Sequence, residues 1–305
     1  MKNPVEHFAV IRAAKFLSIA ATFAAAMLCT SAAYGQARGR AGETPALERW
    51  SSFLPFGGRA LREQGIHLRR PFGFSIDTTY LSDVTQVENL AVKFREDGGN
   101  FRDVSNWVQI GDVHISGWNI GGRLDAWLLP FLNVFVLGGY VEGDSQMQIR
   151  IGSGENAFLL DVDSGFRVMN IGGGASAAIN VGHFFTALDA TYVTTIPLGK
   201  REGDLSLDTQ TFVAGARFGY AGALGRTPFA AWTGISLMDN TVTVLGTEDL
   251  GALGTLDYRA EQSPKSPVSL VLGAQIRFTR GFNLTADTAF GTAGYRVTLS
   301  PTVRF

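Results

Sequence analysis

In the segment GDVHIS, Asp112, His114 and Ser116 fall at every second position, and an acid, an imidazole and a hydroxyl are the groups of nucleophilic hydrolysis. On a strand they share one face, but neighbours two residues apart stand ~7 Å from each other, too far for a direct proton relay. A site built here needs partners from other strands, and the same parity runs on into Trp118 and Ile120, an apolar face. The segment LDVDSGF sets Asp161, Asp163 and Gly165 at the spacing with which a calcium loop begins. The later ligands of such a loop are missing, and a Ser-Gly turn between strand ends explains the same residues. Gly172, Gly173 and Gly174 have no following helix to make a phosphate loop and fit close packing inside a strand, or a narrow waist, better. No metal and no cofactor is expected.

What must position these residues is a set of strands. The chain has 305 residues, and a net charge of -1 gives no footprint for nucleic acid. With 37 glycines and only 17% charged residues, the composition suits an all-β protein. At the start, Lys2, Arg12 and Lys15 precede the apolar run Phe16 to Leu28, and small residues follow at Ala33 and Gly35. That order reads as a secretory signal cut near Gly35, the run being short of the ~20 residues a spanning helix needs. The one cysteine, Cys29, falls in this segment, and the bulky Leu28 before it suits a lipidation site poorly. The mature chain then has neither disulfide nor thiolate chemistry. Between Gln36 and Pro71 lie seven arginines and three glutamates, interrupted by Pro55 and the pair Gly57, Gly58; a basic arm with one short helix around Gly58 to Gln64 is expected.

From Phe72 the texture becomes alternation. Phe72, Phe74, Ile76, Thr78 and Tyr80 alternate with Gly73, Ser75, Asp77, Thr79 and Leu81, and the pattern recurs in about ten places. The expected strands after the first are 113–128, 131–142, 168–181, 184–196, 205–220, 229–240, 268–279, 282–290 and 295–305. Short connections at Leu129-Pro130, Gly182-His183, Gly222 to Pro228 and Arg280-Gly281 alternate with long polar ones at Asp83 to Gly111, Gly143 to Gly165 and Thr241 to Lys265. Gly199 to Asp204 and Gly291 to Gly294 are shorter members of the second set. An up-and-down antiparallel barrel with one short-turn rim and one long-loop rim produces that alternation. Eight or twelve strands would also fit. The chain divides into 1–35, a signal peptide; 36–71, a basic arm; and 72–305, a transmembrane barrel.

The closing segment GYRVTLSPTVRF, with the signal and the strand pattern, resembles the Gram-negative outer-membrane β-barrel proteins, a porin-like superfamily. The resemblance implies a place in the bacterial outer membrane, lipid and lipopolysaccharide as surroundings, and a periplasmic arm. It also implies an assembly signal, read by the insertion machinery, at Tyr295, Val297, Leu299, Val303 and Phe305; Pro301 departs from that pattern. If Phe305 faces lipid, alternation puts Asp77, Arg123, Asp125, Asp189, Arg217, Arg277, Asp287, Arg296 and Arg304 on the inner face. Trp107, Trp118, Trp127 and tyrosines at strand ends would form interfacial girdles.

The balanced inner charge supports two readings, a narrow passive channel for ions or small solutes and a barrel plugged by its own ion pairs that acts through its outer loops. The channel comes first, with a lumen lined by those nine residues. Acids outnumber bases on the long-loop rim, so any cation preference should be modest and salt-sensitive. That rim could equally be a solvated surface, or a set of divalent-ion sites bridging to lipopolysaccharide. A lipid hydrolase at His114 ranks third, and an enzyme is not expected.

Overall fold

The computed structural model describes residues 53–59, 68, 70–94, 100–103, 108–151, 158–198, 206–249, 255–279 and 281–305. The expected signal peptide, most of the arm and Trp107 lie outside them. The strands are β1 (Phe72–Phe94), β2 (Arg102–Asp103), β3 (Val108–Ile110), β4 (Val113–Leu129), β5 (Leu132–Ile151), β6 (Phe158–Val181) and β7 (Phe184–Pro197). They continue with β8 (Ser206–Leu224), β9 (Thr227–Asp249), β10 (Thr255–Pro264), β11 (Val268–Arg277), β12 (Phe282–Phe290) and β13 (Tyr295–Arg304). Ten of them close a barrel in the order β1, β4, β5, β6, β7, β8, β9, β11, β12, β13 and back to β1. Closure leaves no open edge, which is the condition for a sheet to sit in lipid.

The wall has the alternation of a membrane barrel. Strands β11, β12 and β13 contain 10, 9 and 10 residues, the length a tilted strand needs to cross the hydrocarbon layer. Their outward residues include Leu270, Leu272, Ile276, Phe282, Val297, Leu299 and Val303, all exposed. Aromatic rings mark both borders of this belt. At the long-connection end Tyr80 lies 5.0 Å from Trp118 and 6.0 Å from Tyr295 between ring centroids. At the other end Phe72 meets Phe305 at 6.2 Å, Phe184 meets Phe218 at 5.7 Å and Phe278 meets Phe282 at 5.7 Å. Amphipathic and aromatic side chains are favoured at such borders.

Above the belt the structure departs from the sequence reading. The stretches Asp83 to Gly111, Gly143 to Gly165 and Thr241 to Lys265, expected as long loops, carry the upper halves of β1, β5, β6 and β9 together with β10. Strand β10 pairs with β9 over Val242 to Asp249 and with β1 over Thr85 to Phe94. It thus takes the place that β11, β12 and β13 occupy lower down, and the wall continues as a narrower collar. The inner face of the collar carries Leu90, Val242, Val244 and Ala260, all buried, with Val87, Val92 and Tyr258 packed against them. A register shift between Val87 and Asn89 marks a bulge, which bends and twists the strand locally.

Two local features complete the wall. Gly225, in the turn between β8 and β9, has φ +63°, a conformation that costs a side-chain-bearing residue. Pro301 interrupts the ladder between β13 and β1: pairing runs from Tyr295 to Leu299 and resumes at Thr302, leaving Ser300 and Pro301 unpaired with β1. Proline has no N–H to donate, so a gap at this position follows from its chemistry. It sits inside a closed wall and not at an edge. At the short-turn rim the Phe56 N–H donates to the Leu128 carbonyl at 2.9 Å, and Leu54 beside it is buried.

Candidate functional site

The interior of the lower barrel is built in layers of polar and aromatic side chains. Arg304 donates from Nη2 to Oδ1 of Asp125 at 2.8 Å, and Asn133 Nδ2 donates to the same oxygen at 2.7 Å. Arg123 donates to Asn133 Oδ1 at 3.3 Å and stacks its guanidinium 3.7 Å from the ring centre of Phe135. Strands β13 and β4 are separated by β1, so the Arg304 to Asp125 bond is made inside the barrel and not along the wall. A second layer centres on Arg217, which stands 3.6 Å from Asp189 and 3.8 Å from Asp287. Its strand, β8, and that of Asp287, β12, have β9 and β11 between them. Arg296 lies in the field of Asp287, Asp189 and Asp83 as well as Arg217, and Asp77 acts on Arg123. Arg277 is half-buried on the same inner parity, paired across the ladder with Asn283.

Glycines make room for this filling. A Cβ on Gly174 would lie 2.7 Å from the Phe135 ring, and one on Gly215 would lie 2.9 Å from the Asp189 carboxylate. Gly219 faces the Phe185 ring and Gly273 the Trp232 ring in the same way. Large rings therefore lie flat over missing side chains, the alternation of small and large by which a narrow barrel is packed. Asp125 is 6% exposed, Asn133 2%, Phe135 7% and Val168 3%. An interior filled with water would leave such inner-face residues wetted.

Several residues singled out in the sequence take other roles. His114 and Ser116 point outward, and Asp112 is bound to Lys265 Nζ at 2.6 Å, so the three do not converge. Asp161 and Asp163 are exposed positions of the continuous strand β6; in place of the Ser-Gly turn expected there, β6 runs on as a ladder against Gln148 and Gln146. No group of three or more acidic, histidine or cysteine side chains able to hold a metal ion occurs among the described residues. Trp127, expected in a girdle, faces inward, 5.9 Å from the Arg304 guanidinium. Its odd position on β4 matches Arg123 and Asp125, a parity that could have been read beforehand. The inner Asn133, Phe135, Phe185 and Trp232 were legible by the same rule, whereas their partners across the lumen depend on barrel closure.

The outer wall over β4, β5 and β6 carries two depressions. One, of about 630 Å³, is lined by polar side chains including Ser82, His114, Ser116, Asp144, Gln146 and Asp163, with Tyr80 at its margin. The other, of about 570 Å³, is apolar and lies around Gly122 and Gly138 between Ile120, Tyr140, Met169 and Ile171.

No protein-family model matches the sequence, and no curated protein matches it. Solved structures of similar fold include the outer membrane protein OprG from Pseudomonas aeruginosa, at 10% identity over 78% of this chain and 99% of that one, TM-score 0.39. Another is the outer membrane protease OmpT from Escherichia coli, at 10% identity over 77% and 97% of the two chains, TM-score 0.43. A third is Ail, the attachment invasion locus protein of Yersinia pestis, at 12% identity over 76% and 96%, TM-score 0.22. What places the chain is its own architecture. A closed antiparallel barrel of ten strands, with an apolar outer belt between two aromatic borders and a polar, ion-paired interior, has the architecture of the outer-membrane β-barrel proteins.

Proposed function

We propose that this protein is a sealed outer-membrane barrel that acts through its extracellular collar and loops, its lumen serving as a packed core. The observation that carries this reading is the bridging of the interior at two levels, by Arg304 with Asp125 and by Arg217 with Asp189 and Asp287, over rings seated on glycines. The apolar cluster of the collar adds a third, dry layer above them. Refolding the mature chain, Gln36 to Phe305, in a planar lipid bilayer tests it. A correctly inserted barrel without stable conductance steps is expected; regular steps would overturn the reading.

One observation favours the narrow-channel alternative. The contacts of Arg217 are looser than that of Arg304, and its side chain is 33% exposed, so water reaches this layer. In that alternative Arg217, Arg277, Arg296 and Arg304, with Asp189 and Asp287, line a path for ions or small solutes. Replacing Arg296 with Ala then changes the reversal potential of the conducting barrel, and an unchanged value removes that lining. For a hydrolase centred on His114, hydroxyls and carboxylates line the same hollow but none is hydrogen-bonded to the imidazole, and His114→Ala is expected to be silent on outer-membrane lipid. The partners in the sealed reading are the surrounding lipid and lipopolysaccharide, the insertion machinery acting on the Tyr295 to Phe305 strand, and a surface partner of the collar.

A further inference from the structure

Residues 53–59, FLPFGGR, precede the barrel and lie at its short-turn rim, the periplasmic one in this architecture. The Gly58 N–H donates to the Pro55 carbonyl at 2.8 Å across a tight turn whose third residue, Gly57, has φ +76°. A turn of this kind needs a positive φ at that place, so PFGG folds it locally. The Phe56 N–H, bonded to the Leu128 carbonyl, moors the turn to the end of β4. Further along, Arg70 Nη1 donates to the Arg304 carbonyl at 3.3 Å and the Trp127 N–H to the Pro71 carbonyl at 2.8 Å, which holds the chain to the same rim where it enters β1. Within the turn the apolar residues divide: Leu54 and Pro55 are buried, while Phe53 and Phe56 stay exposed.

Burial decides where Leu54 points. Leu124, outward on β4, is 56% exposed, whereas Leu54 is 4% exposed. A leucine lying on the outer wall beside Leu128 would be as bare as Leu124, so Leu54 is turned across the mouth. The inward side chains next to this rim are covered accordingly. Asn133, the second residue of β5, and Asn283, the second of β12, are both buried. Trp127 Nε1 and Arg304 Nη1 have no exposed surface and no hydrogen-bond partner among the described residues. At an open mouth such donors would be in contact with water. We propose that Leu54 and Pro55 form a removable stopper in the periplasmic mouth, which keeps periplasmic water from the layer of Arg304 and Asp125. The stretch belongs to no strand of the wall, so it can leave while the ladder stays closed. The stopper lies below the ion-paired layers, and its seating is read separately from conductance.

The test uses the lack of any cysteine between Gln36 and Phe305, which makes an introduced thiol unique in the refolded mature chain. Asn283→Cys places one just inside the mouth, and Thr302→Cys, its ladder partner and also buried, serves as a second probe. The reaction of each with a small charged methanethiosulfonate is followed with Leu54 intact and with Leu54→Asp, which cannot stay buried without a partner. Labelling should be slow with Leu54 and at least about tenfold faster with Leu54→Asp, and Leu54→Ile should restore the slow rate. Heat-modifiable gel mobility should be the same in all of them. Thr79→Cys, on the level of Asp287 and above the first layer, should label slowly in every background. Equal rates with Leu54 and Leu54→Asp at both mouth positions, fast or slow, overturn the stopper. An equal rise at Thr79→Cys overturns it too, since the whole barrel would then have loosened.

Discussion

Strands β1 and β9 each cross two solvents. In the belt they turn Phe74, Ile76, Ile235 and Leu237 outward and Ser75, Thr79 and Ser236 inward; in the collar they turn Gln86, Glu88 and Thr241 outward and Leu90, Val242 and Val244 inward. Along β9 the backbone alternation is unbroken and along β1 it shifts once, at the bulge between Val87 and Asn89; in both strands the polarity of the two faces is exchanged. Lipid outside permits a polar interior held by ion pairs, whereas water outside requires a dry one. The collar is thus stabilised as a water-soluble β-protein is, and the belt in the opposite sense.

The largest effect expected from this contrast is Val244→Asp. An unpaired charge in the dry collar should cost at least ~3 kcal/mol there while the belt stays assembled. Limited proteolysis should cut the collar of this variant while its gel mobility remains that of a folded barrel; a barrel lost as a whole would mean the two halves fold as one. In the belt interior, Arg304→Ala leaves the Asp125 carboxylate without its cation and should cost about 3 kcal/mol. Denaturation in detergent micelles should show the double variant with Asp125→Ala to be less damaged than the sum of the two single ones. Additive costs would mean that the pair is not coupled.

Smaller changes probe the border and the ladder. Phe305→Ala removes the ring stacked on Phe72, worth about 1 kcal/mol, and should reduce the amount of protein recovered in the outer membrane. Normal levels would argue against an assembly role for that ring. Pro301→Val should restore a ladder bond to β1 and raise stability by up to about 1 kcal/mol, measurable as a shift in denaturation midpoint at unchanged slope.

The belt was legible in the sequence because its rule is strict. Charge on the lipid face is costly, so Phe305 and Tyr295 outward put Arg296 and Arg304 inward without further information. The collar was not legible. Its strands have many polar outward residues, such as Gln86, Glu88 and Asn89, and a bulge that breaks the parity, so they carry the texture of loops. The polar hollow on the outer wall escaped for another reason. His114 and Ser116 were visible as polar residues on an apolar parity, but Asp144 and Asp163 come beside them only through the pairing of β4 with β5 and of β5 with β6. Which acids meet which arginines inside the barrel likewise depends on how many strands lie between them, as with Arg217 and Asp287.

Hydrogen–deuterium exchange of the refolded barrel, read along β9, tests the exchange of faces most directly. Amides of Val242 to Leu245, together with Leu256 to Gln262 of β10, should be protected to a degree comparable with Ala230 to Leu237 in the belt. Exchange of the upper set at the unprotected rate of a loop would contradict a folded, dry collar and return Thr241 to Lys265 to the long loop that its composition suggests.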